Sequence, residues 1–437
     1  MARILPKFCA NLFQFLQQII YSEDFLAQHK RSPQDFIRNR CLHFPTLILY
    51  LTNFLKSSIQ TELDSFFQLL QNASIPVRTV TKSAFTQARA KLRYQAFAEL
   101  NQHCIQFFTS HFPLRTWHGF RLLAMDASIL TLPLNPETIA HFDDLPTRSH
   151  HTRPQAMASQ LYDLLNRVTL HASLASAQSD ERHLAYSHST FFPANSLVLL
   201  DRGYPAFWVF SWLLANHTHF CARVSVESWA EVKTFAQSHQ QEQLITLHPT
   251  HPSKEKCGLY QLPLTPIPVR LIRVTTENGE EQFLMTSLLD ADAFPHACFG
   301  DLYHQRWGIE ENFKHMKSRI EIENFTGKSV HSIYQDFHAR IFAMNLTAVL
   351  VHTAQDLVAK DTQEKTHAYQ VNFTYAISCM KNTVLNLLQH ADPWLICSQL
   401  ILLFQKTLEP VRPNRRFRRH KIRRDKRLHF TCYKRTA

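Results

Sequence analysis

Three acidic residues stand where this sequence could place a catalytic centre. Asp126 closes the apolar run FRLLAMD and Asp201 closes SLVLLD. Runs of that length and composition predict strands, and a carboxylate at a strand's carboxyl end sits where sites form on a mixed α/β sheet. Glu310 belongs instead to LYHQRWGIEENFKHMKSRIEIENFTGK, a segment of helical pattern. Counted from Tyr303, the residues Arg306, Glu310 and Lys317 follow three, seven and fourteen positions later. At about 100° per residue the four fall within about 60° of one another on a helix. Such a face presents a phenol, two cations and a carboxylate, whereas a core-facing stripe would be apolar. The plain alternative is a solvated face held by Arg306 with Glu310 and by Glu310 with Lys314, both at i,i+4 spacing. Two strand-end aspartates and one helical glutamate supply the hard oxygen ligands that Mg²⁺ or Mn²⁺ prefers. Arg202, directly after Asp201, could contact phosphate or form a structural salt bridge. Gly203 suits a sharp turn after the strand.

The order Asp, Asp, Glu, with Tyr-x2-Arg-x3-Glu-x6-Lys around the last acid, resembles the DDE transposases of bacterial insertion sequences that bear the YREK signature. The resemblance spans nearly the whole chain: LLAMDAS at Asp126, LLDRGY at Asp201, and Tyr303, Arg306, Glu310 and Lys317 all in place. Ala127 departs from the glycine often found there, but it is small enough to leave the site intact. The resemblance implies an RNase H-like core in which adjacent strands bring Asp126 and Asp201 together and Glu310 closes the site from its helix. It also implies two ions, Mg²⁺ or Mn²⁺, held by the three acids about 3.5 to 4 Å apart. Water would nick the element end, and the freed 3′ hydroxyl would then attack a phosphodiester across the duplex or in target DNA. Tyr303, Arg306, Lys317 and Arg202 would grip phosphates beside the scissile bond. The implied partners are DNA, as terminal repeats and target, and a second copy of the chain in a homodimer on paired ends. Two other readings stay open: an RNase H-like nuclease without strand transfer, and an inactive relative that binds DNA without cutting.

The elements that must position these residues change in character along the chain. Residues 1–112 have apolar positions at three and four spacing and read as a helical, DNA-binding domain. Within it Thr81 is a candidate N-cap for a short helix carrying Lys82, Gln87, Arg89 and Lys91, which could lie on DNA in helix-turn-helix fashion or present an ordinary solvated face. Residues 113–223 hold the strand-like runs FRLLAMD, SILTLP, NRVTLHASLA and NSLVLLDRGYP, and form the first part of the α/β core. Residues 224–288 contain KCGLYQLPLT, IPVRLIRVTT and EQFLMTSLL, read as a β-rich insertion with a turn at Glu277 to Glu281. Residues 289–350 return to the core with one helix from about Phe299 to Arg319. Residues 351–410 are C-terminal helices, and 411–437 are a basic tail.

That tail holds most of the formal charge of +12: twelve Lys or Arg against Asp425 give it +11. A concentrated cation stretch suits a polyanion such as nucleic acid. Nine cysteines without CxxC or paired spacing argue for reduced thiols in a cytosolic protein, and against a disulfide framework or zinc site. With the resemblance, this places the protein in the bacterial cytoplasm, associated with the nucleoid. The opening MARILPKFCANLFQFLQQII reads as an amphipathic helix, because Asn11, Gln14, Gln17 and Gln18 interrupt its apolar stretch. The longest apolar runs are too short to span a bilayer, so no membrane role is expected. Ser149-His150-His151 with His141 lacks ligand periodicity for zinc. Trp208, Trp212 and Trp307 could stack on an extruded base, but such residues more often belong to the core.

Overall fold

The computed structural model describes residues 5–411 except 39, 143, 147–151 and 277–278. The basic tail from Arg412 and the Ser149-His150-His151 run therefore lie outside the described residues. The chain forms two compact units, one of Met1–Pro113, Leu130–Ala156 and Lys314–Ala437, the other of Leu114–Ile129 and Met157–Phe313.

The second unit carries most of a nine-stranded mixed sheet. Its strands are β1 (Arg121–Thr131), β2 (Asp144–Pro146), β3 (Thr152–Asp163), β4 (Val168–Ser176), β5 (Ser196–Leu200), β6 (His219–Val224), β7 (Glu242–Leu247), β8 (Ile267–Thr275) and β9 (Glu281–Thr286). They run in the order β2-β3-β1-β5-β6-β9-β8-β7, with β4 beside β3. β1, β5 and β6 are parallel neighbours. The helix Phe207–Ala215 lies between β5 and β6 in sequence, as a parallel crossover requires. All five residues of β5 are buried, the mark of a central strand covered on both faces. This is the α/β class with a mixed sheet that the sequence reading expects.

Two strand expectations change. β1 runs past Asp126 to Thr131, so FRLLAMD and SILTLP are one strand and Asp126 is internal to it. KCGLYQLPLT contributes to the helix His251–Leu259, not to a strand. β7, β8 and β9 pair antiparallel with one another, and β9 pairs with β6. The β-rich stretch thus extends the core sheet's edge instead of forming a sheet of its own. β3 went unread in the sequence because PQAMASQLYD mixes small and polar residues without clean alternation.

The first unit is helical. Its centre is the 32-residue helix Val330–Asp361, buried along most of its length and packed against the helices Gln95–His111, Phe44–Thr52 and Trp394–Lys406. A helix buried on all sides must also satisfy its polar side chains internally, as Gln335, Asp336 and Arg340 do here. By length and composition it could cross a membrane, yet 83% of its most apolar stretch is buried inside the structure. The amphipathic helix Leu5–Ile20 forms as expected, with Leu12, Phe13 and Leu16 buried and Asn11 and Gln18 exposed.

Thr81 caps the helix Lys82–Arg89 by accepting from the Ala84 N–H. Lys82 and Gln87 are exposed on it, but Arg89 is buried and cannot read DNA. Its Nη2 lies 2.9 Å from Asp336 Oδ1 and its Nε donates to Gln335. Removing one partner of a buried pair leaves an uncompensated charge. Asp336→Ala is therefore expected to lower unfolding free energy by about 3 to 5 kcal/mol in urea denaturation, against less than about 0.5 kcal/mol for Lys82→Ala or Gln87→Ala.

Candidate active site

The site begins with strand register. β1 and β5 pair Leu122 with Leu197, Leu123 with Val198 and Ala124 with Leu199. The same register, continued two residues beyond Ala124, sets Asp126 level with Asp201. Asp201 follows the last residue of β5 directly, as the sequence suggested. The two carboxylates have different surroundings.

Asp126 has few compensating partners. Its Oδ1 accepts the Ala127 N–H at 2.9 Å. Burial pushes its carboxyl up to about 6; the Ala127 N–H and Arg306 oppose the shift, while Glu310 and Glu181 add to it. Burial acts in the same direction on Asp201, but there the Arg202 N–H, Arg306, Arg223 and the Tyr303 hydroxyl outweigh it and hold the carboxyl below its ordinary value. Arg223 Nη2 lies 2.9 Å from Asp201 Oδ1. The Tyr303 hydroxyl donates to the Leu200 carbonyl at 3.2 Å and reaches Asp201 Oδ1 at 3.5 Å.

The segment around Glu310 is not one continuous helix. Tyr303 lies on the helix Cys298–His304, and Glu310 and Lys317 lie on the helix Trp307–Ser318. Gln305 and Arg306 form the turn between them, with Gln305 N–H donating to Leu302 and Arg306 N–H to Tyr303. These i,i+3 bonds tighten the chain without reversing it. Arg306 consequently remains beside both Tyr303 and Glu310. Its Nη2 donates to Glu310 Oε1 at 2.6 Å, and its guanidinium carbon stands 5.9 Å from the Tyr303 ring centre.

Arg306 is buried, and burial disfavours its charge. Tyr303, Asp201 and Glu310 outweigh that effect and hold its pKa above the ordinary value. The second helix is fixed from below by Asn312, which donates to Gln160 of β3 at 2.8 Å. Gly308 permits close approach there: a Cβ would stand 3.1 Å from Leu164.

Asp126, Asp201, Glu310, Tyr303 and Arg306 therefore share one unit. Arg202 is exposed. Lys317 lies in the last turn of its helix, where the chain has passed into the first unit. Gly203 sits in the turn after Asp201, but its φ is not positive, so backbone conformation does not demand glycine there. Trp208 and Trp212 are core residues, while Trp307 is partly exposed.

Sequence reasoning missed Arg223, which sits in THFCARVS with no local signal beyond following a strand-like run. It also missed Tyr204 and Glu181. Tyr204 is buried, and its hydroxyl has no hydrogen-bond partner. Burial and then Asp126, Glu181 and Asp201 hold the hydroxyl's pKa well above its usual value.

Among the described residues no three His, Cys, Asp or Glu side chains are drawn together as a finished metal cage. The donor set nonetheless fits a hard divalent cation. It offers carboxylate oxygens, one of them an aspartate whose charge is poorly compensated, beside an orphaned buried hydroxyl.

Residues 117–346 match the family model described as the Transposase DDE domain, which is more than half of the chain, and the chain belongs to that family. It is 27% identical over 277 residues to Transposase InsG for insertion sequence element IS4 of Escherichia coli (strain K12), a match covering 61% of this chain and 60% of that protein. The chain thus matches less than two thirds of that relative's length. Among solved structures, the piggyBac transposase synaptic complex with hairpin DNA aligns over 86% of this chain and 81% of that one, with a TM-score of 0.48 and 9% identity.

The raised Asp126 pKa has a sign that can be tested. A carboxyl that holds its proton more tightly when folded destabilises the fold once ionised, and the penalty is relieved as pH falls through about 6 toward the ordinary value of 3.8. Without metal, Asp126→Asn should raise the melting temperature at about pH 8 and lose that advantage by about pH 4. An equal gain at both values would contradict this origin.

Proposed function

We propose that this protein is a DNA transposase that binds the ends of its encoding element, cleaves phosphodiester bonds there and joins the freed 3′ hydroxyls to DNA. The observation that carries the reading is the β1–β5 register, which sets Asp126 level with Asp201 in the same unit as Glu310. Asp126, Asp201 and Glu310 would hold two Mg²⁺ or Mn²⁺ ions. Bound there, the ions would activate the attacking oxygen and stabilise the leaving one.

The chain's own residues do the rest. The Tyr303 hydroxyl fixes the end of β5, and so the position of Asp201, by bonding the Leu200 carbonyl. Arg306 and Arg223 each retain a buried Nε without a partner in this structure. A guanidinium with a spare donor beside the acids is placed to accept a phosphate oxygen's charge as it develops. Arg306 does this from a buried position, where electrostatic interactions are stronger than in water. Lys317 and Arg202 are proposed to contact the phosphate backbone further from the scissile bond.

The partners follow from the chemistry: element ends, target DNA and a second copy of the chain so that two ends are joined together, all in the bacterial cytoplasm at the nucleoid. The tail from Arg412, with its +11 charge, is proposed to neutralise phosphates. Deleting it should weaken DNA binding and flatten its dependence on salt; an unchanged slope would remove the tail from the DNA-binding surface.

The activity is tested with purified protein, DNA bearing the element's ends, and Mg²⁺ or Mn²⁺. Wild type should yield 3′ hydroxyl ends and then joined products, and Glu310→Ala should lower the cleavage rate at least about a hundredfold while still binding DNA. Cleavage by Glu310→Ala at the wild-type rate would overturn the three-acid site. Hydrolysis without joining would make the protein a nuclease.

A further inference from the structure

Asp126, Glu181, Asp201 and Glu310, four acids of the second unit, are not equally neutralised. Asp201 has Arg223 and Glu310 has Arg306 within ion-pair distance. Among the described residues neither Asp126 nor Glu181 forms an ion pair with a lysine or arginine. Glu181 opens the helix Glu181–Tyr186, in the connection from β4 to β5. Two hydrogen bonds fix where that helix starts. Asp180 caps it by accepting the Arg182 N–H at 2.8 Å, and Arg182 Nε donates to the Gly203 carbonyl at 2.8 Å. The helix start is thereby tied to the turn that immediately follows Asp201.

The Glu181 carboxylate reaches the same turn, since a Cβ built on Gly203 would stand 3.8 Å from Glu181 Oε2. Its charge is felt by Asp126, and that of Asp201 is felt by Glu181. Tyr204, one residue further along the turn, is 1% exposed, and its hydroxyl has no partner. That hydroxyl lies within electrostatic reach of Asp126, Glu181 and Asp201 together. A buried hydroxyl without a partner is unfavourable unless something binds there. Two carboxylates that form no ion pair with a lysine or arginine among the described residues act on it electrostatically, and a cation bound among the three would satisfy them together. Oxygen donors of this kind select a hard divalent ion.

We propose that Glu181 is a fourth carboxylate of the active site, and that with Asp126 and the Tyr204 hydroxyl it holds one of the divalent ions. This rests on the reading of the acids as metal ligands given above. Glu181 is exposed on its outer side, which leaves that ion a path in from solvent. The plain alternative is that Glu181 serves only as an acidic residue in the first turn of a short helix, where its charge favours the helix and nothing else.

The test is Mn²⁺ binding to the purified full-length protein without DNA, followed by the electron paramagnetic resonance signal of free Mn²⁺. Wild type, Asp126→Asn and Glu181→Gln are compared after far-UV circular dichroism confirms their fold. Glu181→Gln should weaken the tighter Mn²⁺ site at least about tenfold and leave the metal-free melting temperature within about a degree of wild type. Glu181→Gln that binds Mn²⁺ with wild-type affinity and stoichiometry, while Asp126→Asn does not, overturns the role of Glu181 and leaves the three-acid reading standing. Wild-type binding by both variants overturns the three-acid reading and this inference with it. Should Glu181→Gln fail to fold, Glu181→Asp, which keeps the charge but withdraws it by one methylene, replaces it with the same expected loss and the same contrary result.

Discussion

Acidic groups that act on one another near the end of β5, Glu310 and Glu181 on Asp126 and Asp201 on Glu181, set the constraint around which the candidate site is arranged. The parallel register of β1 and β5, continued two residues past Ala124 and Leu199, sets Asp126 level with Asp201. At short range and reduced dielectric, like charges are strongly unfavourable unless cations intervene. The neighbours of the two aspartates are placed accordingly. Arg223 comes from β6, the next strand on, and its ion pair with Asp201 needs only the sheet to form. Arg306 comes from a turn between two helices, where i,i+3 bonds keep the guanidinium between Tyr303 and Glu310. Burial raises the proton affinity of Asp126, and the Ala127 N–H and Arg306 do not offset it.

The arginines are poised between two kinds of partner. In this structure each binds a carboxylate and retains one unpartnered Nε. Arginine suits such a role because it stays charged when buried and offers donors on more than one edge of a rigid plane. Charge neutralisation of the acids and recognition of phosphate can thus be performed by the same residues. The support behind them is rigid: Gly308 brings the Glu310 helix against Leu164, and Asn312 bonds Gln160 of β3.

Much of this was legible in the sequence, for identifiable reasons. Asp201 ends a run of five buried residues, so an apolar stretch terminated by aspartate reported its location directly. The Tyr303, Arg306 and Glu310 spacing found three residues that do meet, although the helix that suggested it is broken at Gln305 and Arg306. A tightened turn preserves angular position roughly as a helix does, so the three side chains still meet. Asp126 was located by the same strand-end logic, but β1 continues past it, and only pairing with β5 explains its position. Arg223 and Glu181 were illegible because each meets the site through topology: one from the neighbouring strand, the other from a short helix secured by Arg182 to the Gly203 carbonyl. Arg89 shows the opposite error. Its spacing on a capped, exposed-looking helix suggested nucleic-acid contact, while a buried aspartate far along the sequence claims it.

The central claim is that the level pair Asp126 and Asp201, with Glu310, is a binding site for divalent cations. The most direct measurement is a crystal structure of the protein grown with Mn²⁺ and recorded at a wavelength where manganese scatters anomalously. The account predicts an anomalous peak in contact with carboxylate oxygens of both Asp126 and Asp201, with Arg223 or Arg306 turned away from its present acid. Manganese bound elsewhere, with both arginine pairs intact and the two aspartates uncoordinated, would contradict it.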